Sequence, residues 1–235
     1  MNIKRILAKL KVVRQLFRGT ASYSFSQVGE DIIIKALLTD LGVKSPQYLE
    51  IGSNHPIVDN NTYLFYLTGG NGVCIEPDKV LYDLIKQSRP KDIVLNVGVG
   101  INGMKEADFY SFPQPYTGWN TFSKPEADKR VAEAGVHFSE VRKVTMVGVN
   151  ELIRQYFKSG VDVLSLDVEG LDLAIIKELD FTVHQPKIIC IETVLFSNTH
   201  KKVKNQELID YIQGKGYLIY ADTYINTIFC RRELL

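Results

Sequence analysis

The stretch YLEIGSNHP, residues 48–56, decides the fold. Its first residues are a short apolar run carrying one acid, which predicts a strand over 47–51 with Glu50 at its end. Gly52 then opens a polar loop, the kind of position where backbone must approach a ligand closely. Working outward, helix-like and strand-like segments alternate. SQVGEDIIIKALLTDLG (26–42) predicts a helix with Ser26 as its cap and Gly42 past its end. NTYLFYLTGG (61–70) predicts a second helix, GVCIE (72–76) a second strand, and DKVLYDLIKQSR (78–89) an amphipathic helix stopped before Pro90. DIVLNVGV (92–99) reads as a third strand.

Further along, NELIRQYFKSG (150–160), LDLAIIKEL (171–179) and QELIDYIQGKG (206–216) predict helices. VDVLSLDV (161–168) and PKIICIE (186–192) predict strands between them, and YLIYAD with NTIFCR predicts a closing antiparallel hairpin. The central strands are continuously apolar, as in a parallel sheet covered on both faces. The fold class is therefore α/β, a doubly wound, mostly parallel sheet. Residues 103–149 break the rhythm and read as an insertion: strands at 107–112 and 143–149, a helix at 124–135, and a loop rich in proline and aromatics, FPQPYTGWNTFS (112–123).

The chain has 235 residues, enough for one large domain, expected over 26–235 behind an extension at 1–25. With 28 basic and 27 acidic residues the net charge is +1, which disfavours a nucleic-acid partner. An apolar content of 45% excludes disorder. Cys74, Cys190 and Cys230 lie apart in apolar runs, so buried thiols in a reducing cytoplasm are expected. MNIKRILAKLKVVRQLFR (1–18) carries six basic residues, no acid and an apolar stripe at helical spacing. It is too interrupted to span a membrane. As an amphipathic helix it suits peripheral contact with an anionic membrane face, packing on the domain, or a homodimer contact.

GVGING (98–103) matches the dinucleotide pattern G-x-G-x-x-G letter for letter. It is followed by a strand-like segment where the pattern needs a helix, so it reads as a tight turn, with a nicotinamide-dependent oxidoreductase as the alternative. The first strand is the better ligand site. Glu76, at the end of the second strand, is placed to accept hydrogen bonds from ribose hydroxyls. Asn96 ends the third strand, where side chains flank an adenine edge. The helix start near Asn60 to Thr62 suits a ligand carboxylate. A loop without lysine and with a carboxylate at its head suits a nucleoside carrying a cation, and the absence of GxxxxGK[ST] argues against an ATPase.

Together SQVGEDIII (26–34), YLEIGSNHP, NNTYLFY (60–66), GVCIEPD (72–78), RPKDIVLNVGVG (89–100), DVLSLDVEGLDL (162–173) and PKIICIE run in an order and spacing that resembles the FkbM family of S-adenosylmethionine-dependent methyltransferases. The resemblance implies a class I methyltransferase, Rossmann-like fold and methyl transfer to oxygen, commonly a hydroxyl of a sugar or glycosylated acceptor. A binding protein without catalysis is the alternative. The cofactor implied is S-adenosyl-L-methionine, held by Gln27, Glu50, Gly52, Ser53, Asn54, Asn61 and Thr62 on one side and by Glu76, Pro77, Asn96, Val97 and Asp167 on the other. The glycine loop departs from the general pattern, reading Gly52-Ser53-Asn54-His55-Pro56 without further glycines.

A sugar hydroxyl needs a base, or a divalent cation such as Mg²⁺ that acidifies it. Asp167 at the end of the fourth strand, Glu169 just beyond it and Glu192 on the neighbouring strand offer carboxylates for either role, with Asp167 and Glu192 as metal ligands. Glu169 also reads as a helix cap or first-turn acid, and Asp172 and Asp180 as surface residues. His55, in the cofactor loop, is a further candidate base. Tyr116, Trp119 and Asn120 in the aromatic loop, and His200 in SNTHKKVKN, are candidate contacts to the acceptor. Lys201, Lys202 and Lys204 read as a solvated turn or as a face for an acidic acceptor.

Overall fold

The computed structural model describes residues 22–195 and 203–235. The expected amphipathic helix at 1–18, His200, Lys201 and Lys202 lie outside these residues. Among the described residues no helix is long and apolar enough to cross a membrane.

The first helix, α1 (Glu30–Asp40), starts four residues later than expected. Ser26 does not cap it, because Gly29 occupies that position at φ 97°. Ser26 Oγ instead accepts the N–H groups of Gly29 and Asp31 at 3.2 and 3.3 Å, so the serine ties the turn ahead of the helix. Next come β1 (Gln47–Ile51), a five-residue helix α2 (Tyr63–Leu67), β2 (Asn71–Ile75) and α3 (Lys79–Ser88). Asp78 caps α3, accepting the N–H groups of Val80 and Leu81. The sheet continues through β3 (Ile93–Leu95), and later through β7 (Val163–Leu166), β8 (Ile188–Glu192), β11 (Tyr217–Asp222) and β12 (Asn226–Arg231). Helices α5 (Val149–Tyr156), α6 (Asp172–Glu178) and α7 (Gln206–Gly214) make the crossovers.

The strand order is β11-β12-β8-β7-β1-β2-β3. The five strands from β8 to β3 pair in parallel, while β12 runs antiparallel to β8 and closes the expected hairpin with β11. Two apolar layers cover the sheet. One is built on Leu49, Ile51, Leu164 and Ile189, the other on Tyr48, Cys74, Val163 and Ile188. These sets alternate along each strand, as the two-residue period of a pleated strand requires. All three cysteines are buried and free, as expected.

The segment 92–99 is not one strand. It breaks at Asn96 and Val97: β3 stays in the main sheet, while β4 (Gly98–Gly100) joins β5 (Glu106–Ser111) and β6 (Glu140–Gly148) in a second sheet of order β4-β6-β5. A side chain at Gly98 would meet Met146 Sδ and Phe122 Cζ at 2.5 Å, so any larger residue would have to push both side chains aside. The second sheet and helix α4 (Lys124–Ala134), capped by Ser123, make up most of the expected insertion. Strands β9 (Val194–Leu195) and β10 (Val203–Lys204) pair as a short ribbon that sequence reading missed.

Candidate functional site

The strand order reverses between β1 and β7, and ligands of open α/β sheets bind where it does, beyond the carboxyl ends of the strands. A cavity of about 400 Å³ opens there. Gly52 and Asp167, just past the ends of β1 and β7, meet at its floor. Gly52 has φ 81°, and a Cβ on it would lie 1.8 Å from the Asp167 carbonyl oxygen. Gly52 and Ser53 both donate their N–H groups to the Ile75 carbonyl, at 3.1 and 3.2 Å, which turns the loop over β2.

Glu50 and Glu76 are almost fully buried yet both line the cavity. Glu76 accepts the N–H of Asn54 on Oε2 and that of Asp78 on Oε1, each at 2.7 Å. Burial, reinforced by the nearby Asp78 and Glu50 carboxylates, pushes its pKa up to about 8. Glu50 is paired from behind by Arg89 at 3.1 Å.

Most of the expected cofactor residues come together. Gln27, Glu50, Gly52, Ser53, Asn54, Asn61, Glu76, Pro77 and Asp167 all line the cavity. Three do not. Thr62 is buried behind the wall, where its Oγ accepts from Arg89 Nη2 at 2.7 Å. Asn96 supports the wall instead of facing it, donating Nδ2 to the carbonyls of Glu76 and Pro77 at 2.9 and 2.7 Å. Val97 packs against the core, and its neighbours Gly98 and Val99 reach the cavity in its place. At the start of α2, two backbone N–H groups are already taken. Asn60 Oδ1 accepts those of Thr62 and Tyr63, at 3.0 and 2.8 Å.

Beside the cavity, carboxylate oxygens of Asp167, Glu169 and Glu192 lie within 4.8 Å of one another. Burial and mutual repulsion raise Asp167 well above the usual carboxylate range and push Glu192 up to about 11. Glu169 is not a helix cap. It sits at φ 56° ahead of α6, its carboxylate paired with Arg130 from α4 and its carbonyl accepting from Thr121 Oγ at 2.8 Å. Asp172 is not a surface residue: it is 7% exposed, accepts the N–H groups of Val168 and Gly170, and is pushed up to about 7 by burial and by Glu169. Asp180 is exposed, as expected. A smaller chamber of about 110 Å³ shares Glu169 with the main cavity and reaches Glu192, Asp172 and Asn205.

His55 lines the cavity, and its Nδ1 accepts the N–H groups of Ile57 and Val58 at 3.2 and 2.9 Å. That nitrogen is occupied with shaping the loop, which leaves Nε2 as the one available for chemistry. Of the aromatic loop, Asn120 reaches the cavity while Tyr116 and Trp119 do not. Trp119 packs at a tilt of 31° against Tyr116, its ring centroid 4.6 Å away, and edge-on against Phe112 in a local core of the insertion. Sequence reading missed Phe109 and Phe122, which wall the cavity from the insertion, and also Arg89 and Arg130. For the arginines the signal was present only as a charge in an otherwise apolar or helical stretch.

Five carboxylates and no lysine or arginine line the main cavity among the described residues. Such a lining offers a polyphosphate no counter-charge, and a bound cation would draw its raised carboxyls toward the ionised form. GVGING forms β4 and a turn at Asn102 and Gly103 and opens no helix, so it provides no pyrophosphate site. The cradle at Gly52, the cation-attracting lining and Glu76 beneath the loop fit a nucleoside bearing a sulfonium and an ammonium, as S-adenosylmethionine does.

A search of curated proteins finds no match. Among solved structures, the methyltransferase FkbM from Methylobacillus flagellatus is 14% identical with a TM-score of 0.48, over 80% of this chain and 44% of that one. The chain thus spans less than half the length of that protein. A TehB-like SAM-dependent methyltransferase from Corynebacterium glutamicum is 12% identical with a TM-score of 0.42, over 98% and 100% of the two chains. An O-methyltransferase from Bacillus cereus in complex with SAH is 10% identical with a TM-score of 0.43, over 97% and 90%. The methyltransferase FkbM domain model matches residues 50–219, and the chain belongs to that family.

Proposed function

We propose that the protein is an S-adenosylmethionine-dependent O-methyltransferase that methylates a hydroxyl of a sugar or of a glycosylated or polysaccharide acceptor. The observation that carries this reading is the cavity at the strand switch point, lined among the described residues by Glu50, Glu76 and Asp167 and by no lysine or arginine. S-adenosylmethionine supplies an electrophilic methyl group when bound. The chain's own part is to hold the nucleoside against Glu76 and Pro77, the amino-acid portion near Glu50 and the Gly52 loop, and the acceptor oxygen in line. Asp167 in the main cavity and Glu169, shared by both cavities, take the acceptor's proton. Their raised proton affinity favours that transfer once they are ionised.

The close approach of the Asp167, Glu169 and Glu192 oxygens favours a second role for the same groups. A set of hard oxygen donors suits Mg²⁺ or Mn²⁺, which would acidify the hydroxyl. The small chamber beside Glu169 is the acceptor's place in this reading. The protein acts in the cytoplasm, with residues 1–18 as its contact to the inner membrane face or to a second copy. The test is transfer of a labelled methyl group from S-adenosylmethionine to a panel of free, nucleotide-linked and polymeric sugars, with Mg²⁺ and with EDTA. Label in a sugar methyl ether supports the reading. Label only in protein or nucleic acid, or no transfer across the panel, counts against it.

A further inference from the structure

Behind the cavity lies a buried ionic network, centred on Arg89, that meets the cavity lining through Glu50 and Asn60. Arg89, immediately after α3, is fully buried and does not line the cavity. Its Nε donates to Asp92 Oδ2 at 2.7 Å, Nη1 to Glu50 Oε2 at 3.1 Å and Asn60 Oδ1 at 3.3 Å, and Nη2 to Thr62 Oγ at 2.7 Å. Asn60 passes the constraint on, donating Nδ2 to the carbonyls of Ser53 and His55 at 3.3 and 3.2 Å. Asp92 is itself anchored by the Tyr48 hydroxyl and the Gly72 N–H, at 2.8 and 2.9 Å. One guanidinium thus joins the carboxylate at the end of β1, the loop after it and the start of α2.

Stability alone does not account for this. A buried arginine shared by two carboxylates is expensive to desolvate, and an apolar substitute of equal volume commonly serves the fold as well. The fork geometry that lysine lacks is what ties several acceptors at fixed angles. Two carboxylates on one guanidinium also leave a net negative charge next to the cavity, on the side of Glu50.

We propose that Arg89 is a positioning residue for the amino-acid end of the ligand: it fixes Glu50 and the 52–55 loop so that the cavity receives an ammonium group. The inference rests on the S-adenosylmethionine reading and deepens it. Arg89 makes no hydrogen bond to Glu76 or Pro77, which hold the nucleoside end, so its direct hold is on the Glu50 side.

The experiment is calorimetric titration of the full chain with S-adenosylhomocysteine and with 5′-methylthioadenosine, which keeps the nucleoside and lacks the amino acid. Arg89→Lys preserves the charge and removes the fork. It is expected to weaken S-adenosylhomocysteine at least tenfold and to change methylthioadenosine less than twofold. Thr62→Val removes one acceptor of the fork, keeps the side-chain volume and lies outside the cavity. It is expected to weaken S-adenosylhomocysteine about threefold with methylthioadenosine unchanged, and it carries the test if the lysine variant does not fold. Equal weakening of both ligands, or of neither, overturns the proposal. Wild type that binds neither ligand overturns the cofactor reading itself, and this inference with it.

Discussion

Glu76, one residue past β2, holds the loop that follows β1: its Oε2 accepts the backbone N–H of Asn54 at 2.7 Å, while Oε1 accepts that of Asp78. One carboxylate therefore shapes two walls of the cavity and offers its remaining lone pairs to whatever occupies it. Glutamine keeps the volume and only one acceptor oxygen. Glu76→Gln is expected to weaken S-adenosylhomocysteine by more than tenfold, about 1.4 kcal/mol, in a calorimetric titration. Unchanged affinity would remove Glu76 from the ligand.

The raised carboxylates make an unusual prediction for stability. Glu76 and Glu192 have folded-state pKa values of about 8 and about 11 against an ordinary 4.5, so the folded state binds more protons than the unfolded one from about pH 4.5 upward. Stability of the ligand-free chain should then fall as pH rises from 5.5 to 8.5, by up to about 1.4 kcal/mol per pH unit for each such proton. The melting temperature, followed by circular dichroism, should be higher at pH 5.5 than at 8.5, and Glu192→Gln should flatten the slope. A melting temperature that climbs across this window would contradict the buried-acid account.

Gly52 and Gly103 separate the two candidate nucleotide loops. An alanine at Gly52 would take up φ 81° and drive its Cβ into the backbone of Asp167, which no rotamer change relieves. Gly52→Ala should cost about 2 kcal/mol or more and abolish S-adenosylhomocysteine binding. Gly103, in the GVGING turn, has open space around its Cα, so Gly103→Ala should cost about 1 kcal/mol for its left-handed φ and leave binding intact. Denaturant melts and titrations of both variants decide the matter; binding lost in the Gly103 variant would return that loop to consideration.

Among the described residues, Arg130 is the one cation beside four acids in the smaller chamber. Arg130→Met leaves Glu169 without its ion pair among like charges and should destabilise the chain by about 2 kcal/mol or more. If Asp167, Glu169 and Glu192 hold a divalent ion, the same change should tighten Mn²⁺ binding, seen as a larger rise in melting temperature on adding Mn²⁺ than wild type shows. No rise in either protein would leave the carboxylates as proton acceptors only.

Elements that show a local pattern were legible in the sequence. The parallel strands are short apolar runs, the hairpin strands 217–222 and 226–231 fall where the pattern puts them, and Glu50, Gly52, Glu76 and Asp167 converge because each lies at or just past the carboxyl end of a strand. What depends on distant partners was not legible. The strand at 92–99 splits because Asn96 is drawn to the carbonyls after β2 and because Met146 and Phe122 crowd Gly98. Asp172 looked like a helix-surface acid because the backbone N–H groups that bury it lie in a turn whose shape depends on Glu169 at φ 56°. Arg130 and Glu169 stand 39 positions apart, as do Arg89 and Glu50, and no spacing rule links either pair. The departures cluster at the site, where local preferences yield to function.

The central claim is that the cavity at the β1–β7 junction receives S-adenosylmethionine, and calorimetric titration of the wild-type chain with S-adenosylhomocysteine tests it most directly. The account predicts one ligand per chain, with no heat from a nicotinamide dinucleotide under the same conditions. No heat from S-adenosylhomocysteine with the protein folded, or saturable binding of the dinucleotide in its place, would contradict it.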